Sequence, residues 1–173
     1  MSDPRADGGA AAPALVRSAR EDDLPAVVAL MAAGALTGGR EDPEDLDRYR
    51  AALADAQRAP SDVLVAERDG EVVGVTQLIV FRHLQLRGGL CAELESVHVR
   101  EDVRGRGIGA ALVAAAVERA RALGCHRVQL TSNLARTDAH RFWERMGFAR
   151  SHVGYKLPLT AGAPTGPGRP RTS

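Results

Sequence analysis

Long apolar runs are missing from this chain. No stretch of 18 or more apolar residues occurs, so no transmembrane helix is expected. Charge of one sign is missing too: 23 Lys+Arg stand against 22 Asp+Glu, a net charge of +1. Such a balance exerts no long-range pull on nucleic acid or anionic lipid. Aromatic residues make up only 3%, too few for a base-stacking surface. The two cysteines, Cys91 and Cys125, form no paired motif. Residues 1–13 lack a basic start followed by an apolar stretch, so they do not read as a secretory signal. Reduced thiols in a cytoplasmic protein are therefore expected. Lysine is almost absent: Lys156 stands alone among the cations, and the rest are arginine.

What is present suits one folded domain. The chain has 173 residues, 45% of them apolar and 26% charged, within the roughly 100–200 residues usual for a domain. Residues 1–13 and 160–173 are Gly-, Ala-, Pro- and Ser/Thr-rich tails with little to bury, expected to be disordered. Between them, residues 14–159 alternate extended and helical patterns. Ala14–Ser18 reads as a strand. Glu21-Asp22-Asp23 opens a helix carrying Leu24, Val27, Val28 and Met31 and closing at Gly34. Asp42-Pro43-Glu44 opens a second, with Asp as cap and Pro at the first helical position, which stops at Pro60. Val63–Ala66 and Glu71–Phe81 are strands joined by an Asp69-Gly70 hairpin turn. Arg87-Gly88-Gly89 is a turn and Leu90–Val99 the next strand. Ile108–Leu123 is an amphipathic helix, Arg127–Thr131 a strand, Asp138–Met146 a short helix and His152–Leu159 a last strand. The order β-α-α-β-β-β-α-β-α-β predicts an α/β fold: a mixed, mostly antiparallel sheet with a β-α-β crossover and helices on both faces.

The chemistry concentrates in a strand, a loop and a helix start. Arg104-Gly105-Arg106-Gly107-Ile108-Gly109 places glycine at every second position. Peptide N–H groups in such a loop are unshielded, and they run into a helix N-terminus whose own first N–H groups lack partners. Together with the helix dipole they form a pocket for a phosphate-type anion. The loop is not a Walker sequence, since no Gly-Lys-Ser/Thr follows. It is not the dinucleotide fingerprint either, since Gly105-x-Gly107-x-Gly109 has the wrong spacing. Glu93 and Glu95, two apart on the preceding strand, share a face on which Val97 and Val99 are also expected; His98 is expected on the opposite face. The glutamates suit proton acceptance; the alternative is a solvated or salt-bridged strand face. Ser96 has no Gly-x-Ser-x-Gly elbow, and Cys125, His126 and His140 have no metal-ligand spacing, so neither a serine hydrolase nor a metal site is expected.

Val97-x-Val99 followed by Arg104-x-x-Gly107-x-Gly109 resembles the central acetyl-CoA motif of the GNAT N-acetyltransferase superfamily. Asn133 with Ala139-His140-Arg141-Phe142-Trp143-Glu144-Arg145-Met146-Gly147-Phe148 resembles that superfamily's next helix and its Gly-Phe ending. The resemblance implies an acetyl-CoA-dependent N-acetyltransferase working by direct attack in a ternary complex. It implies pantetheine along the backbone of Val97, His98 and Val99, and the diphosphate on the amides of Arg104, Gly105, Arg106, Gly107, Ile108, Gly109 and Ala110. Asn133 and Trp143 would also contact the coenzyme. Glu93 or Glu95 would take the amine's proton, and the N–H of Val97 or His98 would hold the oxyanion. Trp143 stands where many relatives carry the tyrosine acid, so Tyr155 or water would substitute; otherwise Tyr155 packs at the sheet edge. Met31 and Tyr49, in the roof over the acceptor, are candidate substrate contacts. The second motif is closest to enzymes of small amines, which ranks a small-molecule amine above a protein N-terminus or Lys. A non-catalytic acyl-CoA-binding module is the rival reading. The exposed C-terminal edge strands leave a homodimer open, and neither nucleic acid nor membrane is an expected partner.

Overall fold

The structure, a computed structural model, describes residues 14–35, 41–157 and 159. The two expected tails lie outside these. In chain order the elements are β1 (Leu15–Ser18), α1 (Leu24–Ala33), α2 (Leu46–Ala56), β2 (Asp62–Arg68), β3 (Glu71–Arg82), α3 (Gln85–Gly88), β4 (Leu90–Val99), α4 (Ile108–Ala122), β5 (Val128–Leu130) and α5 (Thr137–Arg145). The strands lie side by side in chain order. Neighbours are antiparallel from β1 to β4, and β5 joins β4 in parallel. A parallel neighbour needs a crossover, and α4 supplies it.

Period-two alternation divides the apolar residues between two faces. Leu64, Leu78, Val80, Ala92 and Leu94 meet Ile108, Leu112, Val113, Ala116 and Ala120 of α4. Val63, Val65 and Val75 meet Leu24, Val27 and Leu30 of α1 and Leu53 of α2. Gly74 lets α4 approach the sheet, since a Cβ there would stand 2.9 Å from a Leu112 methyl. At the start of α1, Asp23 accepts from Arg17 at 2.7 Å and from the Arg20 N–H at 2.7 Å. The Arg17 guanidinium holds the Asp23 carboxyl below its usual range. Among the described residues no helix is long and apolar enough to cross a membrane.

Three expectations need correction. The second helix begins at Leu46, because the Asp42 carboxylate accepts from the Glu44 N–H at 3.0 Å and closes a turn before the helix. The turn expected at Arg87-Gly88-Gly89 starts earlier, at Gln85, and makes the single turn labelled α3, left-handed at Leu86 and Arg87, which have positive φ. Among the described residues the last strand is absent: residues 151–157 belong to no strand, and Val153, Tyr155 and Leu157 stand exposed. An alternating pattern makes a strand only where another strand accepts its hydrogen bonds, and β5 is three residues long.

Candidate functional site

The site is built around an irregularity in β4. Gln77 pairs with Glu95 and Val75 with His98, so Ser96 and Val97 together stand opposite Thr76. This is a β-bulge, and Ser96 takes the positive φ of 53° that it requires. The Thr76 hydroxyl donates to the Glu95 carbonyl at 3.2 Å, inside the sheet.

The bulge overturns the expected facing. Ile79, Gln77 and Val75 share one face of β3, and their partners are Glu93, Glu95 and His98. All three therefore point toward α1 and α2. Val97 and Val99 instead pack with the α4 core. His98 is thus on the Glu95 face, not opposite it, and Val97 and Val99 have left that face. Simple alternation fails because one extra residue inverts every side chain beyond it.

The same register turns the β4 backbone outward. The Arg100 N–H donates to the Val73 carbonyl at 2.9 Å, which leaves Gly74 and Val99 as a non-hydrogen-bonded pair. The peptide groups of Val99, and by alternation those of Val97, point away from β3. On that side β5 pairs only with Ala92, Glu93 and Leu94. Pairing stops at Leu130, which leaves a notch along β4 from Glu95 to Val99 where no β5 residue is bonded to it. The Val99 carbonyl accepts from the Arg104 Nε at 3.0 Å.

The notch leads to the glycine loop. Gly105 and Gly107 lie at φ 76° and 82°, with nothing within 4 Å of where a Cβ would be. Gly107 caps α4 in the left-handed conformation, and the first helical bond runs from the Ala111 N–H to its carbonyl at 2.9 Å. Among the described residues no backbone hydrogen bond is donated by the N–H groups from Gly105 to Ala110. A Cβ on Gly109 would stand 3.6 Å from the Phe142 and Val99 side chains, an ordinary contact. An open loop of undonated N–H groups at a helix N-terminus fits a diphosphate. The backbone edge beside it fits an extended amide-bearing arm added as a strand.

The two glutamates are not equivalent. Glu93 accepts from the Gln129 Nε2 at 3.0 Å, and Gln129 in turn accepts from the Arg127 Nε at 3.0 Å. The Glu95 carboxyl is pushed above its usual range, chiefly by burial and further by Glu93, while Lys156 pulls it back. His98 is pushed below the usual imidazole range by burial, then by Arg136 and Arg104. Gly34 makes room for it, since a Cβ there would stand 1.9 Å from the His98 Nδ1. Arg136 donates to the Gly34 carbonyl and ties the end of α1 to the loop before α5.

Other expected residues fall elsewhere. Tyr155 is 92% exposed. Trp143 packs edge-to-face on Phe142 and Phe148, with centroids 4.9 and 5.6 Å apart. The Asn133 Oδ1 accepts from the Ala135 N–H at 2.9 Å and closes a local turn. Arg106 is exposed beside the loop. Tyr49 and Met31 lie on the α1–α2 side with Glu95. Among the described residues no group of His, Cys, Asp and Glu gathers as metal ligands. Sequence reading overlooked Gln129, Arg136 and Lys156. Of these only Lys156 carried a signal, as the single lysine of the chain.

The model of the acetyltransferase (GNAT) family matches residues 27–148. A Pseudomonas aeruginosa L-methionine sulfoximine/L-methionine sulfone acetyltransferase is 36% identical over 83% of this chain and 87% of its own length. An aminoalkylphosphonate N-acetyltransferase of Salmonella typhimurium is 40% identical over 55% of this chain; the match spans 61% of that enzyme. Among solved structures, a transcriptional regulator from Bacillus halodurans C-125 superposes with a TM-score of 0.78 at 34% identity, covering 84% of this chain and 99% of that one.

Proposed function

The chain is an enzyme of the acetyltransferase (GNAT) family, and on that premise we propose that it transfers the acetyl group of acetyl-CoA to the primary amine of a small molecule, by direct attack in a ternary complex. The carrying observation is the bulge at Ser96. In support, a half-buried carboxyl with raised proton affinity, Glu95, lies two residues before the outward-facing peptide of Val97, on the strand that runs on to the open glycine loop.

Each residue then has a task. The N–H groups from Gly105 to Ala110 receive the diphosphate, and the Val97 and Val99 edge receives the pantetheine amides. Acetyl-CoA, when bound, supplies an acyl group already activated as a thioester. Glu95 takes the proton that a primary amine, with a reference pKa of about 10.4, must lose before it attacks. Burial raises the affinity of Glu95 for that proton and so improves it as a base near neutrality. Glu93, held by Gln129, is a positioning residue that keeps negative charge beside Glu95. The Val97 N–H, free of β3, offers the oxyanion donor; the His98 N–H belongs to a pair that bonds with β3. The acid role expected of Tyr155 finds no support in a side chain so exposed, and an indole such as Trp143 donates a hydrogen bond but is not a usable acid. A thiol of pKa about 8.5 leaves as thiolate near neutrality without an acid.

The names of the relatives point to amines of small molecules. Both cysteines are unpaired, which supports a reducing, cytoplasmic setting. The test is to mix the protein with acetyl-CoA and a panel of small amines and free-N-terminal peptides, and to follow thiol release. Release with small amines is expected. Coenzyme binding with no release on any amine would leave a binding module instead.

A further inference from the structure

On the Glu95 face, α1 and α2 do not fill the space above the sheet. A cavity of about 100 Å³ remains between them and strands β2 and β3. Its walls are Leu24, Val27 and Met31 of α1, Leu53 of α2, and Val63 and Val75 of the sheet. The sequence reason is the small residues: α2 turns Ala52 and Ala56 toward the gap, one helical turn apart, where larger side chains would close it. Ala52 is exposed, so the cavity reaches the surface.

The cavity has a polar end and an apolar end. The Tyr49 hydroxyl is engaged elsewhere, donating to the Glu41 carboxylate at 2.8 Å and accepting from the Asp42 N–H at 2.9 Å, so Tyr49 shows the cavity its ring. The other polar residues in the lining are Gln77 and Ser96. Gln77 is the cross-strand partner of Glu95, and Ser96 follows Glu95 in the chain. Polarity therefore collects beside the base and is lacking farther in. Among the described residues no Arg or Lys lines the cavity, so these walls offer an anionic group no counter-charge.

We propose that this cavity is the seat of the acceptor's tail, and that the acceptor is an amphipathic primary amine whose nitrogen lies at Glu95 and whose unbranched apolar tail runs between α1 and α2. A tail of about four carbon atoms suits the volume, which is smaller than the roughly 150 Å³ that holds benzene in an engineered apolar cavity. The nitrogen's place rests on the acetyl-transfer reading; the tail's place rests on the cavity alone.

The experiment uses the full chain and the straight-chain amines from ethylamine to hexylamine. Affinity is read by NMR titration, and kcat/KM by thiol release from acetyl-CoA. Affinity should tighten about fourfold per methylene until the cavity is full near butylamine or pentylamine, and then level off. Ala52→Trp, which fills the surface end, should bring the butylamine-to-ethylamine ratio to about one. Met31→Ala, which lengthens the cavity, should move the plateau to a longer amine. A flat series in the parent protein, or a gradient that neither variant alters, overturns the proposal. A gradient in affinity without thiol release on any amine keeps the tail site and removes the acetyl-transfer reading.

Discussion

The two faces of the sheet are packed to different standards. On the α4 face, Leu78, Leu94, Leu112, Val113 and Ala116 are essentially without solvent contact, and the helix lies close enough to need Gly74. On the α1–α2 face, valines and alanines meet and leave about 100 Å³ empty. The dense face carries the loop that suits a diphosphate, a part that works only if its N–H groups stay aimed. The loose face carries Glu95 and the cavity. On the proposed reading, tight packing keeps the diphosphate loop rigid and under-packing keeps room for the acceptor.

That contrast can be broken at four places. The largest effect is expected at Glu95. Glu95→Gln should lower kcat by about 10²–10⁴-fold, the range of a lost general base. In the parent enzyme, activity should rise with pH through a midpoint above the ordinary carboxylate range, because burial raises the Glu95 pKa. The same raised pKa gives stability that is present at low pH and is lost as pH rises through the folded-state value. Glu95→Gln should therefore unfold no earlier than the parent at pH 7 to 8 in a thermal scan. A large fall in Tm would show that Glu95 serves the fold.

Next come the cores themselves. Leu112→Ala should cost about 3–5 kcal/mol by urea denaturation, since it opens a void in a closed face, and Leu53→Ala only about 2 kcal/mol, since its neighbours already border a gap. Equal losses would erase the difference between the faces. Gly107→Ala places a side chain at φ 82°, which costs about 1–2 kcal/mol; the loop should relax and calorimetric coenzyme affinity drop about tenfold. Unchanged affinity would detach the cradle from the coenzyme. The smallest effect belongs to Tyr155→Phe. With a side chain 92% exposed, it should leave kcat within about twofold, and a loss of a hundredfold would restore the tyrosine as the acid.

The dense face was the legible one. The glycines at 105, 107 and 109 and the apolar stripe of α4 are local patterns, and local geometry obeys them. The strand-helix order was readable for the same reason, up to Arg145. The C-terminal strand was not. Val153, Tyr155 and Leu157 alternate as a strand should, but pairing depends on a neighbour, and β5 ends at Leu130. The site face was half legible. Glu93 and Glu95 were found together because two-residue spacing holds until Glu95. Past it the face of Val97, His98 and Val99 depended on Ser96 taking a positive φ. Serine at that position carries no such signal, unlike the glycines of the loop.

Composition and spacing by themselves determined the fold class, the glycine loop and the pair of carboxylates on one strand, because each follows from contacts between residues near in sequence. Only the tertiary structure decided that burial lifts the proton affinity of Glu95, that His98 shares its face, that the Val97 peptide turns away from β3 and that α1 and α2 leave a cavity. These depend on strand register and on how completely one layer covers another, and both are settled by packing between segments far apart in the chain.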